Sequence, residues 1–282
     1  MSALKHFLLR VLYDLIAIIP LPPFERGYFE DDQSLKYPFH ESTVRSIYLF
    51  TVAPILAILI IVIIELLRAR NYGFSTKYKG VYLVGFCLYK FLYLLLFGYT
   101  VTACFIHVGK IVAGELRPNF FDVCVPSVVA KSPYGYVTNF TCSGANQHRI
   151  NEMRLSFPSG HSAYSMYPAM FIAVYIYYRM PDISLGSALQ AFIQVCGITA
   201  AFYVGLTRIT DNKHHPHDVL VGFIIGAAVA IFTVRYATDV AEFNEIEEDG
   251  VDRSLNSWTD SKEESVHLKE KILSNTPSYG GA

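Results

Sequence analysis

Between two long apolar runs, Thr207 to Asp218 packs an arginine, a lysine, three histidines and two aspartates into a dozen residues. His214 and Asp218 are four apart, so a helical turn beginning there would set both on one face. A carboxylate so placed accepts the proton of one imidazole nitrogen and leaves the other nitrogen free to attack an electrophile. Arg208, just upstream, is a planar cation suited to an oxyanion such as phosphate. Types and spacing together read as an activated nucleophile with an anion clamp.

Two further clusters offer matching chemistry. Lys110 and Arg117 are seven residues apart, two helical turns, so one face could carry both cations; alone they would read as an interfacial pair with snorkelling side chains. Pro158-Ser159-Gly160-His161 opens another apolar run. Gly160 lets backbone N–H groups approach an anion, and a helix start favours negative charge. Ser159 adds a hydroxyl donor, or simply an N-cap. His161 is placed to hand a proton to a departing alkoxide.

The elements that must position these residues are membrane spans. Of 282 residues, 52% are hydrophobic and 17% charged, and several runs exceed the roughly 18 apolar residues of a spanning helix. An ordinary soluble domain is excluded. The expected fold is an all-α integral membrane protein with six transmembrane helices, at about 4–20, 47–67, 81–107, 161–178, 185–206 and 219–235. The first run lacks a small-residue cleavage site and ends in Pro20-Leu21-Pro22-Pro23, so it is expected to remain as a span. Asp14 within it reads as an interhelical hydrogen-bonding group. These spans make one membrane domain, residues 1–236. Residues 237–282 are polar, acidic and poor in aromatics, and are expected to form a disordered cytoplasmic tail. Glu245 to Asp249, Ser265 and Ser274 mark it as a sorting or phosphorylation region, with a merely solvated tail as the plainer reading.

Six spans put both termini on one side. The short basic loop with Arg68, Arg70, Lys77 and Lys79, and Arg179 after the fourth span, point that side to the cytoplasm. Lys110, Arg117, Arg149, Arg154 and Arg208 would then lie outside, which leaves the charge count equivocal. The acceptor sequence Asn139-Phe140-Thr141 in the long third loop settles the expectation, since glycosylation at Asn139 needs a lumenal or extracellular loop. Cys124 and Cys142 share that loop and are expected to pair in an oxidising compartment. Cys87, Cys104 and Cys196 fall in spans, where a thiol behaves as a small apolar side chain.

Lys-x6-Arg-Pro, Pro-Ser-Gly-His and Arg-x5-His-x3-Asp, in that order and on one membrane face, resemble the type-2 phosphatidic acid phosphatase superfamily. Gly114 to Phe120 with Asp122-Val123-Cys124, and Asp211-x-x-His214-His215-x-x-Asp218-Val219, are similar to its animal lipid phosphate phosphatases, the Wunen-like branch. The resemblance runs from Leu4 to Arg235. Thr207 departs from it, standing where serine is usual, and His217 sits where the family varies. It implies that His214 forms a phosphohistidine, that Asp218 orients its ring, and that His161 protonates the leaving alkoxide. Lys110, Arg117, Arg208, Ser159 and the Gly160 amide would hold the phosphoryl oxygens. The implied substrates are phosphatidate, lysophosphatidate, sphingosine 1-phosphate and ceramide 1-phosphate in the bilayer. It implies no Mg²⁺ and no other cofactor, a plasma-membrane, Golgi or ER setting with an extracellular or lumenal site, and homo-oligomers as an option.

Other readings remain open on the residues alone. A lipid phosphotransferase or a glucose 6-phosphatase would share the motifs, although six spans rather than nine argue against the latter. A non-catalytic membrane scaffold would be expected to have lost Lys110, Arg117, His161, Arg208, His214 or Asp218. A transporter would show broken mid-span segments. Nothing suggests nucleic-acid binding. His214, His215 and His217 invite a metal reading, but neighbouring histidines seldom face one ion and no cysteine or Glu-x-x-His completes a set. The expectation is no metal.

Overall fold

The computed structural model describes residues 21–71, 77–180 and 186–236. The expected first span at 4–20, Asp14 and the 237–282 tail lie outside the described residues. Among the described residues, five long helices dominate: α1 (Ser46–Asn71), α2 (Lys77–Ala113), a later pair α5 (Gly160–Arg179) and α6 (Gly186–Thr210), and α7 (Pro216–Tyr236). Four stretches among the described residues are long and apolar enough to cross a membrane: Ser46–Arg70, Val84–Ala113, Gly186–Thr210 and Pro216–Arg235. They are apolar on nearly every side, which is what lipid contact around the bundle demands.

The remaining long helix, α5, falls outside that set for a physical reason. It packs against α1, α2, α6 and α7, and most of its side chains are buried. A helix surrounded by protein can carry Ser162, Ser165, Tyr167 and Tyr175, because neighbouring backbone satisfies their hydroxyls. Ser165 donates to the Ala201 carbonyl at 3.2 Å, and Tyr167 to the Leu95 carbonyl at 2.9 Å. The closest approach is between α5 and α7. A Cβ at Gly222 or Gly226 would collide with the α5 backbone at Ser159 and Ala163, so small residues four apart let the two helices touch.

The helix boundaries shift several expectations. The span expected at 81–107 runs on to Ala113, that at 185–206 runs to Thr210 and so carries Thr207 and Arg208 on the helix itself, and that at 219–235 starts at Pro216. Arg179 is no interfacial loop charge. It is fully buried and gives its Nε and Nη2 to Glu65 of α1 at 3.1 and 2.9 Å.

The all-α expectation needs correction. Between α2 and α5 the chain forms short helices α3 (Phe120–Cys124) and α4 (Gln147–Asn151) around strands β2 (Pro126–Lys131) and β3 (Tyr136–Cys142). The two-residue strand β1 (Tyr28–Phe29) joins them, giving an antiparallel sheet in the order β1-β3-β2. Tyr28 pairs with Val137 and Pro126 with Cys142. A disulfide joins Cys124 to Cys142, as expected. A second small core of Tyr28, Leu35, Leu116, Phe120, Val137 and Met153 lies under the sheet. β1 comes from more than a hundred residues away, so no local pattern could announce the pairing.

Candidate functional site

Four polypeptide segments meet at one end of the bundle. The first is the end of α2. Gly114 has φ +53°, and a Cβ there would run into the Phe24 carbonyl, so glycine lets the chain leave the helix beneath the first loop. Lys110 therefore lies on the last turn, while Arg117 lies beyond the helix with its N–H on the Met153 carbonyl at 3.0 Å. The two cations do not share one helical face as the spacing suggested. They converge all the same, because the chain folds back, and Arg117 acts electrostatically on Lys110.

The second segment is the start of α5. Ser159 caps the helix: its oxygen accepts from the Ser162 N–H at 3.5 Å and from the Ser162 hydroxyl at 3.0 Å. Its own N–H donates to the Asp218 carbonyl at 3.0 Å. Ser159 and Gly160 are buried, and the His161 Nε2 lies 3.5 Å from the Ser46 hydroxyl.

The third segment is the end of α6. Arg208 is buried and paired with Asp211, and its Nη1 reaches the Ser42 hydroxyl at 3.3 Å. Asp211 in turn accepts from the Thr43 N–H at 2.9 Å and the Thr43 hydroxyl at 2.7 Å. The chain turns at Asn212, φ +53°, whose side-chain amide donates to the Pro38 carbonyl. Asparagine tolerates this left-handed conformation better than most residues. The turn folds Lys213 and His214 back so that both N–H groups donate to the Arg208 carbonyl.

The fourth is the start of α7, with Pro216 at the first helical position, where a missing N–H costs nothing. Asp218 is fully buried in the first turn. Its Oδ2 accepts from the Ser156 hydroxyl at 2.6 Å and the His215 N–H at 2.9 Å, and lies 3.5 Å from the His214 Nδ1. His214 precedes the helix, so this contact crosses the helix start and is not made along one helical face.

Electrostatics follow from burial. His214 is 4% exposed. Burial, with Arg117 and Lys110 acting in the same direction, brings its pKa down to about 4, against the opposing pull of Asp218. The ring is therefore neutral at physiological pH, with a lone pair available. Arg117 is held below its ordinary value by burial, with Glu152, 3.3 Å away, opposing. Lys213, buried with its Nζ 3.4 Å from the Phe39 ring centroid, is brought down to about 8, by burial first and Arg117 second. All of Lys110, Arg117, His161, Arg208, His214 and Asp218 thus gather at one end.

Sequence reasoning missed several members of this group. Ser156 fixes Asp218, Asp211 fixes Arg208, Lys213 adds a further buried cation, and Ser42, Thr43 and Ser46, at and just before the start of α1, contact Arg208, Asp211 and His161. Lys213 stood in the charged stretch, where its type could have marked it. The serines and Thr43 had no spacing signal. Glu115, His215, His217 and Asp218 also converge, with one donor atom from each lying within 4.8 Å of the others. Among the described residues, this is the group whose donor atoms could hold a metal ion, with Glu115 joining the histidines from another segment. The glycosylation candidate Asn139 is exposed on β3, opposite Ala130.

Residues 91–241 match the PAP2 superfamily. The chain is 36% identical to phospholipid phosphatase 1 of Rattus norvegicus over 246 residues, 84% of this chain and 86% of that one. It is 34% identical to phospholipid phosphatase 2 of Mus musculus over 245 residues, 82% and 86% of the two chains. It is 33% identical to a putative phosphatidate phosphatase of Drosophila melanogaster over 239 residues, 77% of this chain and 62% of that one. No solved structure matches it significantly. The chain belongs to the PAP2 superfamily, as a multi-pass membrane protein. Within that superfamily it is a phosphatase.

Proposed function

We propose that this protein hydrolyses lipid phosphate monoesters of the phosphatidate, lysophosphatidate, sphingosine 1-phosphate and ceramide 1-phosphate class, on the extracellular or lumenal side of the membrane. The observation that carries the reading is a buried, neutral His214 whose Nδ1 faces Asp218, within electrostatic reach of Lys110 and Arg117 and near Arg208.

In this reading the lipid tails stay in the bilayer and the phosphate enters the polar end of the bundle. Lys110, Arg117 and Arg208, with Ser159 and Gly160, hold the non-reacting phosphoryl oxygens and stabilise charge as it spreads over them. With Nδ1 turned to Asp218, the Nε2 of His214 attacks phosphorus. An N–P bond forms, the P–O bond to the lipid breaks, and His161 gives its proton to the departing alkoxide. His161 then takes a proton from water, whose oxygen attacks phosphorus. The N–P bond breaks and inorganic phosphate leaves. Asp218 stabilises the positive charge on the His214 ring while the phosphoryl group is attached.

The exposed Asn139 and the Cys124–Cys142 disulfide support an outward-facing loop. With that loop outside, six spans would put both termini in the cytoplasm and leave residues 237–282 as a tail beyond the 1–236 membrane domain.

The test is phosphate release from a panel of lipid phosphates by the purified full-length chain, beside His214→Ala, with ³²P trapping of the phosphoenzyme. The expected products are inorganic phosphate and, from phosphatidate, diacylglycerol. Ordinary turnover by His214→Ala would refute the nucleophile, and transfer of phosphate to a second lipid would make the enzyme a phosphotransferase.

A further inference from the structure

We infer that Lys213 is a further substrate-binding residue, whose ammonium, seated on the ring of Phe39, takes an oxygen of the phosphate held by Arg117 and Arg208. The inference rests on the proposal above that a lipid phosphate enters this end of the bundle.

Charge pairing carries it. Lys213 and three arginines meet around the turn that follows α6, and each arginine has a carboxylate of its own. Arg117 lies 3.3 Å from Glu152, Arg149 lies 2.6 Å from Glu41, and Arg208 is paired with Asp211. None of these carboxylates forms an ion pair with Lys213, although its side chain is buried, at 7% exposure. Arg117, Arg149 and Arg208 all act on it with like charge, and Glu41 opposes them. The Glu41 side chain is itself 80% exposed and committed to Arg149. A buried cation among cations is costly unless an anion joins it. Donors for that anion are in reserve nearby, because the Nε atoms of Arg117 and Arg208 are buried without hydrogen-bond partners among the described residues. Arg117 acts electrostatically on both Arg208 and Lys213, so one anion can serve all three.

The seat for the ammonium is built from another segment. The Lys213 Nζ lies 3.4 Å from the Phe39 ring centroid. An aromatic face attracts a cation without accepting its N–H groups as a carboxylate would, so the three donors of the ammonium stay available. Backbone fixes both partners. The Lys213 N–H donates to the Arg208 carbonyl at 3.0 Å, and the Phe39 N–H to the Asp122 Oδ2 at 2.7 Å. The Asn212 amide, one residue before Lys213, donates to the carbonyl of Pro38, one residue before Phe39, at 2.9 Å. The Arg149 guanidinium carbon, 3.9 Å from the same ring centroid, further confines the ring. Phe39 is thus a positioning residue that acts on the substrate through Lys213.

The experiment measures kcat, KM and inhibition by inorganic phosphate on the purified full-length protein, with a soluble short-chain phosphatidate as substrate. Lys213→Met is expected to raise KM and the phosphate inhibition constant by about 10- to 100-fold each, with a smaller change in kcat. Lys213→Arg restores the charge and should recover most of that loss. Phe39→Leu should move both constants in the same direction by about 2- to 10-fold, and Phe39→Tyr, which keeps the ring, should recover them. Wild-type inhibition by phosphate in Lys213→Met overturns the contact, whatever happens to kcat. Phe39→Leu leaves the lysine in place and decides the case if Lys213→Met does not fold: wild-type KM and phosphate inhibition there overturn the seat. Failure of the proposed nucleophile would show separately, as turnover surviving in His214→Ala while phosphate still inhibits the wild type.

Discussion

Arg179 and Arg208 are both buried arginines, at opposite ends of one bundle, in contrasting surroundings. Arg179 meets Glu65 through two nitrogens, and the Tyr175 hydroxyl donates to the same carboxylate at 2.7 Å. Arg68 closes the group by donating to the Arg179 carbonyl. Arg208 is paired too, yet around it the Nε atoms of Arg117 and Arg208, the His214 Nδ1 and the Asp218 Oδ1 are buried without hydrogen-bond partners among the described residues. His161 and Arg179 are the second and last residues of α5, about 27 Å apart at 1.5 Å per residue. The difference separates a lock from a site. The Arg179–Glu65 pair satisfies its charges internally, because an unpaired buried charge destabilises the fold. A site for an anion must keep donors in reserve and accept the cost.

The sharpest way to break the comparison is to remove the proposed nucleophile. His214→Ala is expected to lower phosphate release by about 10⁴-fold or more while melting at the wild-type temperature, measured on the same detergent-solubilised sample. Arg179→Met should do the converse. It strands Glu65 and is expected to destabilise by about 3–5 kcal/mol, with turnover per folded molecule unchanged. Adding Glu65→Leu should recover most of that loss, as denaturant unfolding would show. A comparable rate loss at both ends would erase the distinction.

Arg208→Lys keeps the charge but loses the planar fork. A loss of about 10²–10³-fold in kcat/KM is expected, with a smaller effect on stability because the pair with Asp211 can persist.

The smallest effect is in the pH dependence of stability. His214 has a folded pKa of about 4 against about 6.5 unfolded. Between these values the unfolded chain binds the proton and the folded chain does not. The stability from keeping the ring neutral is thus fully present above about pH 6.5 and lost as pH falls toward about 4, by up to about 3 kcal/mol. His214→Gln should flatten that part of the profile, and an unchanged slope would contradict the buried neutral ring.

The contrast also marks what could be read without coordinates. His214 and Asp218 were legible because type and spacing coincide within one short segment. Lys110, Arg117 and His161 were legible as polar groups at the ends of apolar runs. The lock was not: Glu65 and Arg179 are 114 residues apart, and neither sits in a motif. Nor was the sheet, since a two-residue strand carries no periodicity, nor Ser156 and Glu115, whose roles exist only through partners in other segments.

By itself the amino-acid order determined that this is a membrane protein with a histidine–aspartate pair and cations at the ends of its spans, because apolar run length and local residue spacing are properties of the chain alone. Only the tertiary structure decided that Lys110 and Arg117 converge beyond a glycine break, that Ser156 holds both Asp218 and Glu115, and that α5 lies inside the bundle while its neighbours ring it. Those outcomes depend on contacts between segments tens of residues apart, and they form when helices pack closely enough to bury polar groups that must then find partners across the bundle.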